Sequence, residues 1–152
     1  MHATGVFGAG GRGAIEHFAE RSPHLHEAAL IRIGTLSKAL GSAGGFVCGS
    51  QRLIDWLANR ARSFVFSTAH PAAASAAAIA ALNAIEDRPE EGATLLATAE
   101  RFRNRLHAQG WRTGASQSQI IPIEIGSPAR AIQLSAALRV QGFWVPAIRP
   151  PS

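Results

Sequence analysis

One cysteine and one lysine are all that 152 residues contain of either. A lone Cys48 excludes an internal disulfide and suits a reducing compartment. It falls in the apolar run Gly45-Phe-Val-Cys-Gly49, which predicts a buried, unreactive thiol. No run approaches the roughly 18 apolar residues of a membrane span. The chain starts without a charged region followed by an apolar one, so no signal peptide is expected. The expectation is a cytoplasmic protein without membrane contact. Charged residues make up 16% and hydrophobic ones 47%, a composition that excludes a disordered chain. The length suffices for a domain with a core.

The net charge is +5 and the pI about 11.2. Nucleic-acid binding would need the basic residues gathered in a patch. Instead they are scattered, at most in a pair (Arg60, Arg62) or along one helix (Arg101, Arg103, Arg105), and no helix-turn-helix or RNA-binding signature is present. No nucleic-acid partner is expected.

Fourteen of the fifteen basic side chains are arginine, so Lys38 stands out. A primary amine can lose its proton and attack a carbonyl, which a guanidinium cannot. Lys38 lies in Gly34-Thr-Leu-Ser-Lys-Ala-Leu-Gly-Ser-Ala-Gly-Gly45. The apolar segment Ala28–Ile33 before it reads as a strand, which puts the amine on a loop past a strand end, where α/β sheets hold ligands. Thr35 and Ser37 add hydroxyls, and Gly41, Gly44 and Gly45 allow close approach of the backbone. An exposed lysine on a polar turn explains the same residues, and from this stretch alone the two readings are equal.

Other motifs carry less. Gly8, Gly10 and Gly13 satisfy G-x-G-x-x-G, but neither a preceding strand nor a following acidic residue is present, so the segment reads as a loop before a helix over 14–20. His24, His26 and Glu27 lack a further ligand for a metal site, and no metal is expected.

Periodicity predicts helices over 51–62, capped by Ser50, over 71–86, over 93–108 and from Ser127-Pro128 to Gly142. It predicts strands over 44–48, 63–68, 119–125 and 143–148, with Pro122 marking an edge or irregular strand. Residues 87–92 read as a turn and the best domain boundary, giving parts 1–91 and 92–152.

Several stretches together resemble the α-oxoamine synthases, pyridoxal-phosphate enzymes of fold type I. They are Gly34–Gly41 with Gly44-Gly-Phe-Val, His2-Ala-Thr-Gly-Val-Phe-Gly, Gly11-Arg-Gly, Ser63–Thr68 and Gly142–Pro151. The last is most like the biotin-pathway branch.

The resemblance implies an α/β fold: the C-terminal part of a cofactor-binding large domain over 1–91, then an interdomain helix and an incomplete small domain over 92–152. It implies pyridoxal 5′-phosphate as cofactor and Lys38 as the Schiff-base lysine and base. His2 would hydrogen-bond the ring's phenolic oxygen, Thr35 would line the cofactor, and Ser67 and Thr68 would reach the phosphate held by a partner subunit. The implied reaction is a decarboxylative condensation of L-alanine with pimeloyl-CoA by a homodimer. Glycine C-acetyltransferase and 5-aminolevulinate synthase are sister alternatives; a non-catalytic remnant and a basic binding module are further ones.

The family's aspartate for the pyridine nitrogen would fall before Met1, and its carboxylate-binding arginine has no counterpart in Arg149. The expectation is therefore that this polypeptide alone binds the cofactor weakly and does not turn over. His70 stands where the family usually has another residue and receives no role.

Overall fold

The computed structural model describes residues 2–19, 22 and 30–150. They form two compact units, Met1–Ala97 and Thr98–Ser152.

The first unit opens with turns through Gly13 and a short helix, α1 (Ala14–Ala19). Gly5 N–H donates to Gly11 C=O at 2.8 Å and Gly13 N–H to Phe7 C=O at 2.8 Å, closing the glycine loop on itself. The Glu16 carboxylate accepts from the N–H groups of Gly10 and Arg12. Strand β1 (Arg32–Thr35) pairs antiparallel with β2 (Gly45–Cys48), Gly34 opposite Phe46. The Phe46 ring covers Gly34 where a side chain would otherwise stand.

Helix α2 (Gln51–Arg60) starts at Ser50, whose Oγ accepts from Leu53 N–H as the sequence predicts. A four-residue helix, α3 (Arg62–Val65), follows, and then α4 (Ala72–Asp87). Helix α5 (Glu90–Ala108) begins two residues after α4 ends, so the expected turn over 87–92 shrinks to Arg88-Pro89. Among the described residues, Val6, Leu40 and Ala78 are the buried hydrophobic side chains of this unit.

The second unit holds the rest of α5 and α6 (Pro128–Val140). Ser127 Oγ caps α6 by accepting from Arg130 N–H, Pro128 sits in its first turn, and Gly142, at φ 86°, follows its end. All three features match the sequence reading. Ala99 is buried, and so is Thr113, which hydrogen-bonds His107 Nε2 at 2.7 Å.

Three predicted strands differ. Residues 63–68 do not extend; α3 takes their first half, leaving Phe64 68% and Phe66 79% exposed. A helical turn satisfies its own backbone, whereas a strand needs a neighbour. Residues 119–125 run without a ladder; Glu124 N–H donates to Arg112 C=O at 2.9 Å, beside an ion pair between the same two side chains. Residues 143–148 also lack a strand partner, and Ser135 Oγ donates to Val145 C=O at 2.5 Å. Period-2 patterning gives these segments a face but not a partner.

Cys48 is a further correction. Its thiol is exposed, at the end of β2 opposite Arg32. The first predicted strand, 28–33, also shifts: residues 30 and 31 are outside any strand and β1 runs Arg32–Thr35, while residues 28 and 29, with His24, His26 and Glu27, lie outside the described residues.

Candidate active site

Lys38 stands exposed in the turn between β1 and β2. The hairpin brings the turn's ends together, and backbone bonds close it: Leu36 N–H to Gly44 C=O at 2.9 Å, Ser42 N–H to Leu36 C=O at 2.9 Å, and Gly41 N–H to Lys38 C=O at 3.0 Å. Thr35 Oγ1 sits inside this closure. It donates to Gly44 C=O at 3.2 Å, accepts from Ser37 N–H at 3.1 Å and lies 2.8 Å from Ser37 Oγ. Gly41 sits at φ 56°, a conformation that suits glycine, with open space where a Cβ would be. The loop thus offers one amine, two hydroxyls and bare backbone at its surface.

The other candidate residues lie on segments that converge here to different degrees. Ser67 and Thr68 are exposed between α3 and α4, and His70 beside them hydrogen-bonds the Ala43 carbonyl of the lysine loop at 2.9 Å. His2 is exposed at the start of the segment whose Gly5 packs by Ala39, the neighbour of Lys38. That segment, Ala39 and α4 enclose a cleft of about 190 Å³. This is below the ~300–1,000 Å³ of an ordinary ligand site. A larger groove of about 630 Å³ runs between α6 and residues 144–149 and contains none of the candidate residues.

The donor set fits pyridoxal phosphate. It offers the Lys38 amine for the aldehyde and the exposed hydroxyls of Ser67 and Thr68, between α3 and α4, as donors for the phosphate. Nothing in the sequence flagged the bond from His70 to Ala43, since a histidine before a proline has no pattern that announces a partner 27 positions away.

The profile of the aminotransferase class I and II family matches residues 1–152. The 8-amino-7-oxononanoate synthase of Bordetella petrii is 45% identical over 99% of this chain and 37% of its own length. A putative 8-amino-7-oxononanoate synthase of Desulforudis audaxviator is 46% identical, over 99% and 38%. The chain therefore spans under two-fifths of these curated relatives.

Among solved structures, the Francisella tularensis 8-amino-7-oxononanoate synthase superposes with a TM-score of 0.82 at 28% identity, over 99% of this chain and 44% of that one. The Sphingomonas wittichii serine palmitoyltransferase gives 0.85 at 28%, over 99% and 37%. The architecture is thus part of the fold type I framework of pyridoxal-phosphate enzymes. With its whole length matched by the profile, the chain belongs to the aminotransferase class I and II family.

Proposed function

We propose that this chain carries the lysine and phosphate-binding hydroxyls of an 8-amino-7-oxononanoate synthase, a pyridoxal-phosphate-dependent acyltransferase that condenses L-alanine with pimeloyl-CoA. One observation carries the reading. The sole lysine is presented by a hydroxyl-lined, glycine-rich turn, in a chain 41–46% identical to proteins bearing that name.

Pyridoxal phosphate, when bound, supplies an electron sink for the charge that develops at the amino acid's α-carbon. The Lys38 amine would hold the cofactor through its aldehyde carbon, and when free its Nζ would take the α-proton. The hydroxyls of Thr35 and Ser37 hold the turn in the shape that presents Nζ. Ser67 and Thr68 bind phosphate oxygens by donating hydrogen bonds, in the homodimer to the cofactor of the partner subunit. His2 donates to the ring's phenolic oxygen. Residues 1–91 belong to the cofactor-binding domain and 92–152 to the interdomain helix and small domain, and the enzyme works in the cytoplasm.

The test is an absorbance spectrum of the chain mixed with pyridoxal phosphate, beside Lys38→Ala. A band near ~420 nm in the parent that is absent from the variant is the expected result. Equal spectra from the two proteins would overturn the role of Lys38. Adding L-alanine and pimeloyl-CoA then tests the reaction.

A further inference from the structure

The bonds that close the lysine turn set its shape but not its seat on the protein. The seat comes from the start of α4. Ser42 Oγ donates to Ala74 C=O at 2.6 Å. His70 lies between the two elements, with Nε2 2.9 Å from Ala43 C=O and Nδ1 2.8 Å from Ser75 Oγ. A carbonyl only accepts, so Nε2 carries the proton. In the neutral ring Nδ1 is then the acceptor and the Ser75 hydroxyl donates to it. Both ring nitrogens are used, which fixes the imidazole's tautomer and orientation. Gly44 completes the fit: at φ 86°, a Cβ there would stand 2.9 Å from Nε2, so the backbone meets the ring only as glycine.

We infer that His70 is a positioning residue for Lys38. Together with Ser42 it holds the lysine turn against α4, and so fixes where Nζ stands on the protein. Its importance for chemistry rests on the reading of Lys38 as the reacting amine. The side chain is exposed and touches no candidate reacting atom, so it acts through the turn. Misplacing a reacting group by even ~1 Å can cost a hundredfold in rate. Two surface hydrogen bonds can therefore matter more to reactivity than to stability.

Amide hydrogen exchange on the whole chain without cofactor tests this, comparing the parent with His70→Ala and His70→Gln. Glutamine keeps one N–H donor and one carbonyl acceptor. In His70→Ala the amides of Leu36 and Ser42 are expected to exchange roughly five- to tenfold faster. Those of α2 and α5 stay at the parent rate, and His70→Gln slows the turn again. Unchanged exchange in the turn would overturn the inference. So would an equal rise in α2, which would make His70 a general stabiliser.

A second readout uses pyridoxal phosphate. The ~420 nm band should form several-fold more slowly in His70→Ala, yet reach the parent amplitude at saturation. If the parent itself gives no band, the cofactor reading falls, and faster exchange confined to the turn still supports the clamp.

Discussion

Gly92 lies against the carbonyl oxygen of Val6 so closely that a Cβ on it would stand 2.7 Å away, with the Gly5 oxygen at 2.9 Å. Gly92 is the third residue of α5 and is buried. Glycine in a helix costs about 1 kcal/mol relative to alanine, so propensity alone favours Gly92→Ala. Backbone oxygens cannot yield as side-chain ends do, and overpacking of this kind costs about 1–3 kcal/mol. Gly92→Ala should therefore lower the urea midpoint; a raised midpoint would mean that the glycine loop moves aside freely.

Glu16 makes a second tie to the same loop. Its two carboxylate oxygens accept from Gly10 N–H at 3.0 Å and Arg12 N–H at 2.9 Å. Glu16→Ala removes both acceptors. The loss should be about 1–2 kcal/mol, at the low end for bonds to a charged group because the site is partly solvated. Protection of the Gly10 and Arg12 amides should fall with it. Unchanged protection at those amides would argue that water replaces the carboxylate at no cost.

Cys48 should behave as a surface thiol. One equivalent per chain is expected to react with a thiol-specific reagent in native buffer, at close to the rate seen in denaturant. A reaction that waits for denaturant would place the residue under cover.

Ser127→Ala removes the cap of α6 and should cost about 1 kcal/mol. Because the cap lies in the second unit, the exchange rates of α2 and α4 should stay unchanged. Faster exchange there would show that the two units unfold together.

The helices were legible because their hydrogen bonds are local: Ser50 and Ser127 cap where the sequence places them, and α4 and α6 end within a residue or two of expectation. The strands were legible only where a hairpin supplied the partner, as between Arg32–Thr35 and Gly45–Cys48. Residues 119–125 and 143–148 alternate as strands do, but their patterning does not encode what they pair with. The 63–68 segment became a helical turn for the same reason.

At the candidate site, the turn that presents Lys38 was legible from its glycines and hydroxyls, with Thr35 falling at the end of β1. His70 was not, because its role consists of bonds to Ala43 and Ser75 that exist only once the lysine turn has folded onto α4.

The rarity of lysine has a practical consequence at the bench. A lysine-specific protease has a single bond to cut in this chain, the one after Lys38, and would release residues 1–38 and 39–152 as two pieces. The scissile bond lies in a turn cross-braced by its own backbone, so cutting needs that turn to open first. The rate at which one band on a gel becomes two would then follow how often the lysine turn opens, and any molecule seated on Lys38 would slow it.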